Sequence, residues 1–360
     1  MTKKYAPLLA LNAALIAAPH ITLADEAHMK PAAPEGHAPI GVMGDHMHKA
    51  GEYMVSLRHM NMRMEGNMSG TKKLSDAQVR MQPNEYADLP MMPMMLRVVP
   101  QRMDMKMTML GAMCAPSDKV TLLAMLMQIE NEMTLDTYGA MSNQYIGSFT
   151  TKTAGIGDTI IGALLRGGDT KNGAWHYGLA LSVPTGSIEQ TDRVLTPMNT
   201  QAVMRLPYPM QLGTGSYDVK PSITYNGDWR GWRIGGQANA TLRLNDNDED
   251  YRLGDKLELQ GWAMKKLRPW ASASARLHMS YQGALKGQDS AIILPVPTAQ
   301  TASSGGAQAA LSLGVNLIGQ TGLLADHRFA LEVSLPVHQN AKGVQMKRQE
   351  SVTLGWQKAF

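Results

Sequence analysis

The stretch Met103-Asp104-Met105-Lys106-Met107-Thr108-Met109-Leu110-Gly111-Ala112-Met113-Cys114 decides how the chain is read. Its methionines recur at every second position, broken once by Gly111. Period two is the strand period, because successive side chains point to opposite faces. One face is therefore built of thioethers. The other starts polar at Asp104, Lys106 and Thr108 and turns apolar at Leu110, Ala112 and Cys114.

Residues 52–64 decide which face points inward. Tyr53, Val55 and Leu57 alternate with Met54, Ser56, Arg58, Met60, Met62 and Met64. An arginine on the lipid face of a barrel at the bilayer midplane costs about 2–4 kcal/mol. Arg58 therefore places the methionine face in a lumen and Tyr53 at a membrane interface. By the same rule Asp104 and Lys106 belong at the rim, above the hydrocarbon.

The alternation continues to the end of the chain. It predicts strands over 52–64, 103–114, 119–131, 157–166, 174–185, 213–226, 230–243, 256–265, 270–282, 306–319, 326–337 and 347–360. Residues 65–102, 132–156, 186–212 and 283–305 read as long loops. Strands of about ten residues, tilted, span a bilayer. Short turns alternating with long loops are the asymmetry of outer-membrane barrels. The expected fold is all-β: a transmembrane antiparallel up-and-down β-barrel of about 12 strands over residues 52–360, in the outer membrane of a Gram-negative bacterium. Terminal Phe360, after alternating apolar residues, resembles the signal read by the barrel-assembly machinery, although Lys358 departs from that pattern.

The ends and composition narrow the function. Lys3 and Lys4, the apolar run 7–18 and Thr22-Leu23-Ala24 read as a signal peptide over residues 1–24. The net charge of +4 falls to +2 when Lys3 and Lys4 leave with it, too little to argue for nucleic acid. Cys114 is the only cysteine, which excludes an internal disulfide and a thiolate cluster. Residues 25–51 read as a disordered periplasmic tail carrying His28, His37, His46 and His48 with Met29, Met43 and Met47. Within it, Asp45-His46-Met47-His48 suits a soft or borderline metal. Asp246, Asp248 and Asp250 have EF-hand spacing, but Tyr251 and Leu257 stand where its glycine and glutamate belong. That acidic loop is expected to face lipopolysaccharide.

Several segments, in order, resemble one family: Gly44-Asp45-His46-Met47 with Gly51-Glu52, Leu110-Gly111-Ala112-Met113, Gly155-Ile156-Gly157-Asp158, Leu181-Ser182-Val183-Pro184-Thr185-Gly186-Ser187 and Gly213-Thr214-Gly215-Ser216-Tyr217-Asp218. The chain is similar to outer-membrane transporters of the meta-pathway of phenol degradation. The resemblance implies an envelope location and uptake of small, often aromatic molecules, and it supplies no catalytic residues.

Sorting every strand by its polar face gives the expected lumen. One part holds Met54, Met60, Met62, Met64, Met103, Met105, Met107, Met109, Met113, Met125 and Met127. The other holds Arg58, Asp158, Arg166, His176, Asp218, Lys220, Arg233, Arg243, Glu258, Arg276, His278 and Glu332. A greasy wall facing a charged wall suits a small, partly apolar solute. The alternative is copper handling: thioethers select Cu(I), with His46, Met47 and His48 supplying it. No other cofactor is expected. An enzyme is not expected either, because His278 and Ser280 share the inward face of Arg276, away from a lipid substrate.

Overall fold

The computed structural model describes residues 33–360. The expected signal peptide, and residues 25–32 with His28 and Met29, lie outside the described residues. In chain order the strands are β1 (Tyr53–Gly70), β2 (Lys72–Leu74), β3 (Val98–Ser117), β4 (Val120–Tyr138), β5 (Tyr145–Ile156) and β6 (Thr159–Thr170). There follow β7 (Gly173–Val183), β8 (Thr191–Leu195), β9 (Gln201–Arg205), β10 (Asp218–Trp229), β11 (Trp232–Arg243) and β12 (Tyr251–Arg252). The last are β13 (Lys256–Arg268), β14 (Ala271–Gln282), β15 (Lys286–Gly287), β16 (Gly306–Ile318) and β17 (His327–Ala359). One short helix, α1 (Asp76–Arg80), opens on a Ser75–Gln78 capping box.

Eleven of these strands form a closed antiparallel barrel in the order β1-β3-β4-β6-β7-β10-β11-β13-β14-β16-β17, with β17 returning to β1. An odd number of strands cannot close with every neighbour antiparallel unless one reverses. β17 does so. Its first half pairs with β16 from Arg328 to Ala341, its second half with β1 from Ala341 to Ala359, and Gly343 at φ +69° sits in the bend. Gln339 and Arg348 hydrogen-bond across the two arms at 3.0 Å. The chain therefore crosses the wall in twelve passes.

The outer face is apolar and exposed, with Leu57, Leu110, Leu126, Leu179, Leu259, Leu313 and Val333 among its residues. Exposed aromatics gather near the short turns, including Trp175, Trp229, Trp232 and Trp270, as an interfacial girdle. The turn Arg230-Gly231 has φ of 49° and 75°, the two positive values of a type I′ hairpin. The opposite end carries the long loops, which pack an apolar cap around Tyr86, Leu206, Met210, Ile292 and Val296.

The four expected loops are partly strand: β8 and β9 lie within 186–212 and β15 within 283–305. β1 runs on to Gly70, β4 to Tyr138, and β5 occupies the second half of 132–156. β4 pairs with β5 over Gln128–Tyr138 and with β6 over Val120–Met125, so β5 and β6 make one bent stave. The outer residues here are charged, because this wall stands taller than the apolar belt. Arg63 meets Asp104 at 3.5 Å and Glu350 at 3.3 Å, and Lys152 meets Glu132 at 3.0 Å.

The larger correction concerns residues 33–51. They are not an unstructured tail but a plug in the lumen, with Ala38, Ile40, Val42, Asp45 and His48 buried. Ala38 and Val42 pack on Trp262 and Met264. The wall leaves room by using glycine: a Cβ on Gly355 would lie 2.4 Å from Ile40 Cδ1. The plug uses glycine in turn, since a Cβ on Gly41 would lie 2.4 Å from both Arg276 Nη2 and Glu332 Oε1. Gly355→Leu is expected to displace the plug and raise single-channel conductance in planar bilayers. An unchanged conductance would show that Ile40 does not occupy that space.

Candidate functional site

The plug has no strand or helix of its own, so its backbone polar groups need partners. Interior side chains supply them. Ser272 Oγ donates to Pro34 O (3.0 Å), Arg328 Nη2 to Ala38 O (2.5 Å) and Gln237 Nε2 to Met43 O (2.9 Å). His176 Nε2 donates to Gly44 O (2.8 Å) and Asn226 Nδ2 to Asp45 O (2.5 Å), while Thr121 Oγ1 accepts from His48 N (3.0 Å).

Behind the plug the expected charged residues sort into pairs. Arg276 donates to Glu332 from Nε (3.2 Å) and Nη2 (2.5 Å), and to Gln260 Oε1 from Nη1 (2.9 Å). Arg243 is paired with Asp218, which also accepts from Ser216 Oγ at 2.7 Å. Glu258 lies 3.0 Å from His278 and 2.8 Å from Lys256. Lys220 Nζ donates to Thr241 Oγ1 at 3.2 Å. Arg58 and His176 are buried in the interior. Three expected lumen residues do other work. Asp158 anchors a loop, accepting from Gly186 N, Thr214 N and Thr214 Oγ1 at 3.0, 2.9 and 2.9 Å. Arg166 and Arg233 have inward parity but lie beside short turns, paired with Asp169 and Asp228. Parity fixes the face of a residue, not its height.

The methionines come into register. Met54 pairs with Met113, Met60 with Met107, Met62 with Met105 and Met64 with Met103. Across the next seam Met103 pairs with Met133 and Met109 with Met127, and Gly111 faces Met125. Met103 and Met133 are 1% and 0% exposed. A cavity of about 320 Å³ lies under the loop cap, lined by Met92, Met133, Leu135, Phe149, Met204 and Leu206 among others. A second, of about 230 Å³, lies mid-barrel between the plug residues Met43 and Asp45 and the wall residues Met54, Arg58, Met109, Met113, Met125, Leu164, Lys220 and Glu258.

The plug also gathers titratable groups. His37 Nδ1 lies 3.3 Å from His46 Nδ1, which lies 2.9 Å from Asp45 Oδ1. His46 Nε2 is 3.2 Å from His48 Nε2, and Met47 beside them is half-buried. Burial and the neighbouring His46 hold His37 well below the usual imidazole value. Burial opposes ionisation of Asp45, but His46, His37 and Arg328 outweigh it and hold the carboxyl well below its usual range. Sequence reasoning named these histidines but put them on a tail, and it missed Arg328, Gln237, Asn226 and the loop cavity. Only the inward parity of Arg328 and Gln237 was there to signal them.

The family model described as "Putative MetA-pathway of phenol degradation" matches residues 120–318. The curated proteins contain no match. An outer membrane channel from Pseudomonas putida F1 superposes with a TM-score of 0.56 at 14% identity, over 88% of this chain and 98% of that one. The toluene transporters TbuX of Ralstonia pickettii (TM-score 0.40, 10% identity, 87% and 90% covered) and TodX of Pseudomonas putida (0.39, 9%, 87% and 90%) also match. The first of these has the same fold. A closed barrel with this apolar belt is an outer-membrane protein of a Gram-negative cell.

The Arg276–Glu332 pair is buried, so removing one partner leaves an uncompensated charge, at a cost of about 3–5 kcal/mol. Glu332→Leu is expected to destabilise the barrel by that order in urea unfolding, and Arg276→Met/Glu332→Leu to recover most of it. Equal stability of the single and double variants would contradict the pairing.

Proposed function

The chain belongs to the family of the MetA-pathway of phenol degradation, and we propose that its barrel passes small, partly apolar solutes, aromatic ones included, along a methionine-lined lumen. One observation carries this reading. The registered methionines run from the cavity under the cap, at Met133, to the mid-barrel cavity, at Met54, Met109, Met113 and Met125. Thioether side chains are unbranched and adapt their shape to what lies beside them. A row of them lets an apolar guest move without a permanently open, water-filled pore. The likeness to an outer membrane channel supports the same reading. Arg58, Lys220 and Glu258 edge the lower cavity and suit a single polar group on the solute. The outer belt serves lipid, the acidic loop faces lipopolysaccharide, and the exposed C-terminal Phe360 serves the assembly machinery.

A second reading is copper handling, in which the inward thioethers carry Cu(I) with His46 and His48. The observation in its favour is that Met43, Met54, Met109, Met113 and Met125 line the same cavity as Asp45.

In proteoliposomes phenol is expected to enter faster than glucose; Ala202 on β9 also lines the cavity under the cap, and Ala202→Trp, which fills it, is expected to slow phenol several-fold. Equal entry of the two solutes, or no effect of Ala202→Trp, would contradict solute passage. Replacing Met103, Met105, Met107 and Met109 together with Leu tests the second reading: unchanged Cu(I) affinity removes it.

A further inference from the structure

The hydrogen bonds inside the plug leave two acceptors facing each other at one point, beside a third ring nitrogen. Glu52 Oε2 accepts from Lys49 N at 2.9 Å and stands 3.3 Å from His48 Nδ1, so the His48 proton is on Nδ1. His48 Nε2 is then a lone pair, and it accepts from His46 Nε2–H at 3.2 Å. His46 Nδ1 is left as a lone pair in turn. It faces the Asp45 carboxylate at 2.9 Å and His37 Nδ1 at 3.3 Å. The other Asp45 oxygen is already engaged, accepting from Ala38 N at 2.8 Å. His46 Nδ1 and Asp45 Oδ1, two acceptors 2.9 Å apart, repel unless an electrophile sits between them, and His37 Nδ1 stands at the same point, 3.3 Å from His46 Nδ1. That electrophile is either a second proton on His46 or a metal ion.

The distances favour the ion. Two ligands at about 2.0–2.1 Å from a tetrahedral centre stand about 3.3–3.4 Å apart. The two Nδ1 atoms are 3.3 Å apart, and all three donor atoms lie within 4.8 Å of one another. The geometry points to a site for a borderline divalent transition-metal ion, Zn(II) or Cu(II), held by His37 Nδ1, His46 Nδ1 and Asp45. Imidazole and carboxylate donors suit these ions, whereas Cu(I) prefers thioethers. His48 and Glu52 form the outer relay that fixes the tautomer of a ligating histidine. The nearby cation Arg328 is held by its own partners, with Nη2 donating to Ala38 O and Asn316 Oδ1 at 2.5 and 2.8 Å. A bound ion ties together the two ends of the 37–46 loop inside the barrel. The site depends on neither reading of the solute path.

The test is a titration of untagged, full-length barrel in detergent with Zn(II) and with Cu(II), followed by X-ray absorption on the loaded wild type. The inference expects one tight equivalent, nitrogen and oxygen neighbours at about 2.0–2.1 Å, and its loss in His37→Ala and in His46→Ala. Glu52→Gln should weaken binding by about 10–100-fold, as outer-shell changes do. His59→Ala, on strand β1 and bonded to Thr108, should change nothing. No binding by the wild type, or sulfur neighbours in its spectrum, would overturn the site. So would wild-type affinity in His37→Ala. The wild-type spectrum decides the matter even where a variant fails to fold.

Discussion

The structure depends on a stretch of chain that forms no strand or helix of its own. Closing a barrel satisfies every strand backbone group in the wall and puts a polar face inside. The plug has the opposite deficit: carbonyls and amides with no ladder to join. Ser272, Arg328, Gln237, His176, Asn226 and Thr121 settle both deficits at once, because each interior polar side chain ends on a plug backbone atom. A buried polar group without a partner costs about 1–3 kcal/mol. Wall and plug therefore stabilise each other, and neither composition makes sense alone.

The same economy divides the interior. Where the plug backbone needs partners, the wall supplies polar side chains; where its apolar side chains Ala38 and Val42 lie, the wall supplies Trp262 and Met264. Methionines on β1, β3 and β4, from Met54 up to Met133, need no such partner. The charged pair Arg276–Glu332 sits beside the plug, and Gly41 allows the plug backbone to approach it closely. The cap around Ile292 and Leu206 covers the end of the barrel that carries the long loops.

Much of this was legible in the sequence. Period-two alternation gave the strands, and Arg58 on the methionine face gave the inward direction. The parity of twelve passes agrees with the reversal within β17. What stayed hidden was physical in origin. Upper β4 and β5 carry charge on their outer face because they rise past the belt, so Glu132 and Lys152 imitate a loop. Arg166 and Arg233 have the parity of the lumen but the height of a turn. The plug has no period to read. Its partners are far away in the chain, Pro34 and Ser272 being 238 residues apart.

Hydrogen–deuterium exchange of the folded barrel tests the account most directly, because it reads the plug amides one by one. Ala38 donates to Asp45, Val42 to Pro39 and His48 to Thr121, all within the lumen. The account predicts that these amides exchange as slowly as those of the strands around them. Exchange of Ala38, Val42 and His48 at the rate of an unstructured tail would contradict it.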